Sequence, residues 1–252
     1  MGTVLVFKLV IGIFMRALII LPTFNEVQNL KGVVEKIINL RIEADILIID
    51  DNSIDGTREI ASGLIEKYKE KVFLIERPAK LGLGSAYIEG FKFALRDNYD
   101  YAFEMDADFS HDPREIPVFL EAVQSADVVI GSRYLDGIRI MNWPLSRLIL
   151  SYTANIYARL MSGLLLTDLT SGYKCFSRKA LEALPLSLIK SNGYAFQIEV
   201  NFWCQRLGLS LKEIPITFTD RRAGSSKMSR EIVREAFFLG PRLLFKRCPI
   251  TR

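Results

Sequence analysis

The sequence has few of the residues that bind soft metals or form disulfides. Its 252 residues include three cysteines and a single histidine, His111. The cysteines, Cys175, Cys204 and Cys248, are scattered singly and odd in number. This excludes a zinc-ligand spacing and a disulfide framework and favours a reducing compartment. We therefore expect any metal site to use oxygen ligands.

The sequence also lacks the signatures of two common nucleotide-binding classes. No G-x-G-x-x-G follows the first predicted strand, which argues against a dehydrogenase. The glycine-bearing segment KLGLGSA, residues 80–86, lacks both that fingerprint and the P-loop Gly-Lys-Ser/Thr. There are no repeats, low-complexity tracts or linkers, so one catalytic domain is the simplest interpretation.

No stretch of the chain is a convincing membrane span. The apolar run over residues 4–21 is interrupted by Lys8 and Arg16 and ended by Pro22, whereas a spanning helix needs about 20 mostly apolar residues. Its last part, residues 16–21, predicts a buried strand instead. Residues 1–15 are interpreted as an apolar leader, either dispensable or in contact with a membrane, with Met15 as an alternative start.

Short apolar runs alternate with helical patterns through the first half of the chain. Their hydrophobicity is continuous, which is typical of strands covered on both faces. The pattern predicts an α/β fold with a Rossmann-like, doubly wound, mostly parallel sheet and helices on both faces. The predicted strands are residues 17–21, 44–49, 72–76, 101–105, 128–131 and 210–217, and the helices lie near residues 27–40, 56–69 and 84–97.

Acidic loops follow three of these strands, at residues 22–26, 50–57 and 106–113. In such sheets, ligands bind outside the carboxyl ends of the strands. Asp106 and Asp108 lie on the same side of an extended chain, where their carboxylates repel unless a cation lies between them. We expect Mg²⁺ or Mn²⁺ here, the alternative being a solvated acidic loop. Asp51 and its neighbour Asp50 either cap the next helix or accept hydrogen bonds from a nucleoside.

The charge is distributed unevenly along the chain. Residues 1–140 carry a net charge of −6 and residues 141–252 one of +10, so the second half should face something anionic. Residues 230–252 form a basic amphipathic segment, which favours an interfacial helix. Residues 144–166 are apolar around most of a helix circumference and belong either to the core or to a lipid-facing surface.

Eight motifs occur in the order found in one enzyme family: PTFNE, DDNSIDGT, LGLGSA, MDADFSHDP, GSRY, TSGYKCFSRKAL, NGYAFQIE and DRRAGSSKMS. Over residues 17–229 the chain resembles the polyprenol-phosphate (dolichol-phosphate) mannosyltransferases, inverting glycosyltransferases of family 2 with the GT-A fold. The resemblance implies a GT-A domain over residues 16–229. It also implies transfer of mannose from GDP-mannose to dolichyl or another polyprenyl phosphate, with inversion to a β-linked product and with Mg²⁺ or Mn²⁺.

The family's functional residues carry over onto matching positions. The resemblance implies catalytic roles for Asp106, Asp108 and Arg133, with the two aspartates as metal ligands. It implies donor-nucleotide contacts for Pro22, Phe24, Glu26, Ile49, Asp51, Ala107, Arg221 and Lys227. Three positions depart from the family pattern: Phe24 replaces a frequent Tyr, Ser110 replaces a metal-binding Gln found in some members, and HDP replaces HPP.

Two other functions remain open from the sequence. One is a polyprenyl-phosphate transferase that uses UDP-glucose or a UDP-N-acetylhexosamine, although DRRAGSSKMS favours mannose. The other is a non-catalytic sugar-nucleotide-binding subunit, in which the acidic pair and the basic residues would be superfluous. A phosphate acceptor is largely ionised at neutral pH and needs no general base, so we assign His111 to shaping the metal loop.

The resemblance also sets expectations for location and partners. It implies peripheral association with the cytoplasmic face of a membrane, the endoplasmic reticulum in a eukaryote or the plasma membrane in a prokaryote. The expected partners are GDP-mannose, a polyprenyl phosphate in the membrane and small membrane-embedded subunits, with no nucleic acid.

Overall fold

The computed structural model describes residues 15–220. The expectations for residues 1–14, for the basic segment 230–252, and for Arg221 and Lys227 lie outside the described residues. None of the helices within residues 15–220 is long and apolar enough to cross a bilayer.

A central seven-stranded sheet has the strand order β3-β2-β1-β4-β7-β5-β8. Neighbouring strands are parallel except at β7, which runs antiparallel to both β4 and β5. Two short strands, β6 and β9, form a separate parallel pair. The strands are β1 (Ala17–Thr23), β2 (Ala44–Asp50), β3 (Val72–Glu76), β4 (Tyr101–Glu104), β5 (Val128–Ser132), β6 (Ile140–Met141), β7 (Lys174–Ser177), β8 (Leu211–Pro215) and β9 (Phe218–Thr219).

Seven α-helices connect these strands within the described range. They are α1 (Leu30–Asn39), α2 (Thr57–Lys67), α3 (Leu83–Arg96), α4 (Ile116–Ala122), α5 (Leu145–Ser162), α6 (Arg178–Ala183) and α7 (Gly193–Arg206). Short 3₁₀ turns at Pro113–Glu115 and Val123–Ser125 flank α4.

The sheet separates two hydrophobic cores, because successive side chains of a strand point to opposite faces. In β1, Leu18 and Ile20 pack with residues of α3 and α7. Ile19 and Leu21 pack with residues of α1, α2 and α4 on the other face. All four side chains are fully buried. The predicted doubly wound, mostly parallel sheet with helices on both faces is therefore confirmed.

The loops at the carboxyl edge of the sheet turn sharply. Asn25, Asn52 and Phe109 adopt left-handed backbone conformations, with φ values of 58°, 60° and 67°. Asparagine tolerates this region well, whereas for a bulky residue such as Phe109 it is uncommon and strained. Each of the three predicted acidic loops contains one of these turns, which return the chain across the edge of the sheet.

Candidate functional site

A cavity of about 330 Å³ lies at the carboxyl edge of the sheet. It brings together residues from all three predicted acidic loops and from the segments around β5, α5 and α7. The sequence-predicted residues that line it are Pro22, Phe24, Glu26, Asp51, Asp106, Ala107, Asp108 and Arg133.

One end of the cavity is formed by the loops after β1 and β2. The Asp51 carboxylate accepts hydrogen bonds from the buried guanidinium of Arg77 and, at 3.0 Å, from the backbone N–H of Gly82. Arg77 also binds the carbonyl of Gly82 at 3.0 Å. Across this end, the Lys80 ammonium lies 4.2 Å from the centre of the Phe24 ring. The glycine-bearing motif therefore holds Asp51 in position through its backbone.

The structure places the end of the second strand as follows. Ile49 is fully buried in the hydrophobic core, so its side chain is not brought to the cavity. The strand alternation that turns Ile49 inward places Asp50 on the opposite face, where it is also fully buried and accepts from Thr23 and Ser53. Neither Asp50 nor Asp51 caps α2, whose N-cap residue is Gly56.

The acidic pair lies on a loop that is held from within. Ser110 donates to Asp108 Oδ1 from its backbone N–H at 3.0 Å and from its hydroxyl at 2.6 Å. His111 Nδ1 accepts the backbone N–H of Asp106 at 3.0 Å. Burial lowers the pKa of His111 to about 4, so the imidazole is neutral at pH 7 and carries its proton on Nε2. This contact fits the loop-shaping role predicted for His111.

A buried ionic network lies beneath this loop. Glu104 and Lys174 are both fully buried, and their carboxylate and ammonium groups are 3.9 Å apart. Lys174 Nζ also donates to the side-chain oxygen of Gln197, a residue that lines the cavity. Burial raises the pKa of Glu104 to about 7 and lowers that of Lys174, while each partner's charge opposes the shift. No pattern in the sequence predicted this network.

The opposite wall carries a fixed cation. Arg133 makes a bidentate pair with Asp168, at 2.6 Å and 2.7 Å, and donates to the Thr170 hydroxyl at 2.8 Å. Burial alone would raise the pKa of Asp168, but the charge and hydrogen bonds of Arg133 lower it. The predicted phosphate-facing Arg133 thus lines the cavity as a permanently charged group in a rigid position.

The far side of the cavity is aromatic and basic. Trp143, Arg147, Phe218 and Asp220 line it. The Arg147 guanidinium lies 4.0 Å from the Trp143 ring centre and 3.1 Å from the Asp220 carboxylate. With Lys80 and Arg133, Arg147 gives the cavity three lining cations among the described residues.

The donor set of the acidic pair fits a hard divalent cation. Asp106 and Asp108 offer carboxylate oxygens on the same cavity wall. Within residues 15–220 there is no group of three or more His, Cys, Asp or Glu residues arranged to hold a metal. A site of this kind suits an ion that takes one or two protein carboxylates and completes its shell with water and substrate oxygens, as Mg²⁺ does.

Sequence reasoning missed the partners that position the predicted residues. Arg77, Asp168, Lys174 and Gln197 each hold a cavity residue or line the cavity. Arg77 had a weak signal, because it is a charged residue directly after a buried strand. No periodicity indicates that such residues pair across separate elements, and only the fold brings them together.

Comparisons with known proteins agree with this arrangement. Residues 18–184 match the family described as Glycosyl transferase family 2. The chain is 45% identical over 222 residues to the undecaprenyl-phosphate mannosyltransferase of Micrococcus luteus, covering 88% of this chain and 91% of that protein. It is 44% identical over 224 residues to the polyprenol monophosphomannose synthase of Mycolicibacterium smegmatis, covering 88% and 84%.

Among solved structures, the chain is similar to glucosyl-3-phosphoglycerate synthase from Mycobacterium tuberculosis. The complex of that enzyme with Mn²⁺, UDP-glucose and phosphoglyceric acid superposes with a TM-score of 0.65 at 18% identity, covering 90% of this chain and 80% of that one. At this level of identity the likeness shows the shared GT-A fold alone.

Proposed function

The chain belongs to glycosyl transferase family 2, and from that premise we propose that it transfers mannose from GDP-mannose to the phosphate of a polyprenyl lipid. The observation that carries the proposal is that Asp106 and Asp108 line the same cavity as Asp51 and Arg133. To bind a nucleoside diphosphate sugar, a site needs polar acceptors for the nucleoside, a metal ion and fixed cations for the phosphates.

The relatives support the sugar and the class of acceptor. Two proteins that match nearly nine-tenths of this chain at 44–45% identity are named for mannose transfer to undecaprenyl phosphate and for synthesis of polyprenol monophosphomannose. The guanine base of the donor is our inference. Asp51 supports it, because a carboxylate held by Arg77 and Gly82 presents its oxygens as acceptors for ribose or base N–H and O–H groups.

Asp106 and Asp108 would hold Mg²⁺ or Mn²⁺. The bound ion supplies positive charge that neutralises the diphosphate leaving group. The solved complex of the glucosyl-3-phosphoglycerate synthase with Mn²⁺ and UDP-glucose supports divalent metal use on this fold. Ser110, which replaces the metal-binding Gln of some members, fixes the orientation of Asp108 through two hydrogen bonds.

The chemical step needs no general base. The acceptor is a phosphate monoester whose second pKa is about 6, so at neutral pH its oxygen is already anionic. In the proposed step this oxygen attacks the anomeric carbon, the bond from that carbon to the diphosphate breaks, and GDP departs. Attack in line with the departing group inverts the configuration, so an α-linked donor gives a β-linked product. Neutral His111 has no role in proton transfer here, because its Nδ1 accepts the Asp106 backbone N–H.

The remaining cations divide between the donor and acceptor phosphates. Arg133 is held rigidly by Asp168 and provides a fixed charge on the cavity wall. Arg147 lies at the far side of the cavity beside Trp143. We assign Arg221 and Lys227, which lie outside the described residues, to the phosphates as well. The cytoplasmic face of a membrane and small membrane-embedded subunits remain the proposed setting.

The function is tested with purified full-length chain, a short-chain polyprenyl phosphate and a panel of radiolabelled GDP-mannose, UDP-glucose and UDP-N-acetylhexosamines, each with and without EDTA. We expect label in the lipid phase from GDP-mannose alone, lost with EDTA and restored by excess Mg²⁺ or Mn²⁺. Transfer from a UDP-sugar in preference to GDP-mannose would overturn the choice of donor. Transfer that is unchanged by EDTA would overturn the metal site.

A further inference from the structure

Phe109 has a strained backbone in the loop that carries the acidic pair, residues 106–113, which we call the metal loop. It lies between Asp108 and Ser110, and its φ is 67°. A bulky residue rarely adopts this left-handed conformation, which persists only where the surrounding contacts determine it strongly. Phe109 is not among the residues that line the cavity. The reason for its conformation is therefore sought in the contacts of its ring.

The Phe109 ring packs on helix α1 (Leu30–Asn39) at Gly32. A Cβ atom added at Gly32 would lie 2.8 Å from the Cζ atom of the ring and 3.4 Å from Cε2. The first distance is too short for a real contact, so any larger residue at this position would displace the ring. Glycine is among the residues least favoured inside a helix, and the close approach of Phe109 gives a physical reason for its presence in α1.

A cation lies over the other part of this contact. Lys36 is one turn beyond Gly32 on the same face of α1. Its ammonium group is 4.8 Å from the centre of the Phe109 ring, within the range of a cation–π interaction. The ring also packs against the hydrophobic core that α1 shares with β1. We call the contacts of Phe109 with Gly32 and Lys36 the Phe109 anchor.

The anchor differs in kind from the hydrogen bonds inside the metal loop. The Ser110 hydroxyl donates to Asp108, and His111 accepts the backbone N–H of Asp106. These bonds join residues of one loop and fix its shape, whereas the Phe109 anchor joins the loop to a helix. An ion such as Mg²⁺ requires near-octahedral geometry with ligands at about 2.0–2.1 Å, so a small displacement of the loop should weaken its binding.

Helix α1 is also attached to the loop after β1. The backbone N–H groups of Asn29 and Leu30 both donate to the Glu26 carbonyl at 3.0 Å, and Glu26 lines the cavity. The same helix therefore carries a cavity residue at its start and the Phe109 anchor along its side. It links the loop after β1 to the metal loop.

From these contacts we infer that Phe109 is a positioning residue, whose ring, seated on Gly32, holds the metal loop so that Asp106 and Asp108 bind one divalent cation. The inference rests on the proposed function, which assigns the cation to these two carboxylates. Phe109 acts through its neighbours in the loop rather than by contact with a substrate.

The test compares full-length wild type with Gly32→Ala, Phe109→Leu and the double variant. The matched control is Gly63→Ala, the same substitution in helix α2, where the added Cβ atom meets open space. The readout is the dissociation constant for Mn²⁺, measured with and without GDP by electron paramagnetic resonance of the free ion. Near-UV circular dichroism and urea unfolding establish that each variant is folded.

We expect Gly32→Ala to weaken Mn²⁺ binding at least about tenfold, the size of effect that residues behind a metal ligand have, and Gly63→Ala to bind like wild type. Phe109→Leu should weaken binding by about threefold, because it loses the contact with Lys36. Leucine lacks the ring atoms that the added methyl group meets, so the double variant should match Phe109→Leu and bind more tightly than Gly32→Ala. Excess Mn²⁺ should recover mannose transfer by Gly32→Ala, because only metal affinity is lost.

Several results would overturn the inference. One is an unchanged Mn²⁺ affinity in Gly32→Ala, or in Phe109→Leu where Gly32→Ala does not fold, even if the free energy of unfolding changes. Another is a double variant that binds as weakly as Gly32→Ala, because the effect would then not pass through Phe109. A wild type that binds no Mn²⁺ would overturn the anchor and the metal site together. If Mn²⁺ binding follows the expected pattern but wild type transfers no mannose from GDP-mannose, the proposed function fails and the positioning role of Phe109 stands.

Discussion

The Arg133–Asp168 pair illustrates how a single contact supports the site. Both side chains are almost completely buried, and the guanidinium is held by two hydrogen bonds to one carboxylate. A buried charge is tolerated only when it is paired, so removing one partner leaves the other uncompensated. The ionised Asp168 carboxylate therefore holds the Arg133 guanidinium in its position on the cavity wall.

We predict that Asp168→Asn lowers the free energy of unfolding by about 3–5 kcal/mol at pH 7. The loss should depend on pH. Because the pKa of Asp168 is lowered in the folded protein, its stabilising effect is present above its unfolded pKa of about 3.9 and is lost as pH falls through the lower folded value. Urea unfolding of wild type and variant at pH 7 and pH 3 checks this. The difference between them should shrink at pH 3, and an equal difference at both pH values would contradict the assignment.

The Lys174–Glu104 pair makes a second prediction at this scale. Lys174→Met should cost about 3–5 kcal/mol, because it leaves the Glu104 carboxylate buried without its cation. Adding Glu104→Gln should recover much of that loss, since the remaining groups are then neutral. The single and the double variant both lack the Lys174 hydrogen bond to Gln197. The difference in stability between them therefore reports the interaction between the two charges alone. Chemical denaturation of the single and double variants measures it, and equal stabilities would show that the two charges are independent.

At the scale of elements, α3 is pressed against the loop that precedes α7. A Cβ atom added at Gly84 would lie 2.5 Å from the carbonyl oxygen of Ser191 and 2.8 Å from the Phe196 ring. The next residues of that loop, Asn192 and Gly193, line the cavity. The absence of a side chain at Gly84 therefore sets how closely helix and loop approach.

We predict opposite effects from the same substitution at two helical glycines. Gly84→Ala should destabilise the protein by about 1–3 kcal/mol, as overpacking does, and should weaken donor binding by displacing the cavity loop. Gly63→Ala, in α2, places its Cβ in open space and should stabilise by about 0.5–1 kcal/mol through helix propensity. Urea unfolding of both variants is the measurement, and a stabilising Gly84→Ala would refute the close contact.

The sequence predicted β1, β2 and β5 well, because each is a largely apolar run that is buried on both faces. It did not predict β7, whose four residues begin with a buried charge, Lys174. It also did not predict α7, which buries Gln197, Glu199 and Asn201 along with its apolar residues and so shows little helical periodicity. Elements that bury polar groups are recognisable only once their partners across the fold are known.

The same distinction applies to the candidate site. Asp51, Asp106 and Asp108 were predicted because parallel strands end at one edge, where loop side chains converge. The family resemblance implied a nucleotide contact for Ile49. The alternation of side chains along the strand places the Ile49 side chain in the core instead. Arg77 and Asp168 were not predicted, because each pairs with a residue that is distant in the sequence. Arg77 is 26 residues from Asp51, and Asp168 is 35 residues from Arg133.

At the scale of the whole molecule, the sheet edge, the cavity and α5 form one functional surface. The loops after β1, β2 and β4 line the cavity, and so does Arg133, which Asp168 holds in place. Arg147, in the first turn of α5, lines the same cavity.

We propose that the cavity containing Asp106 and Asp108 joins mannose to a lipid phosphate. Single-turnover formation of mannosyl-phosphoryl-polyprenol from GDP-mannose, followed by mass spectrometry, tests it in wild type, Asp106→Asn and Asp108→Asn. Asp112→Asn is the control, because Asp112 lies on the same loop but does not line the cavity. We predict rates about a thousandfold below wild type for the first two variants, since they remove metal-dependent charge stabilisation worth several kcal/mol, and a near-normal rate for the control. A rate close to wild type in Asp106→Asn, with unchanged metal dependence, would show that this carboxylate does not hold the metal.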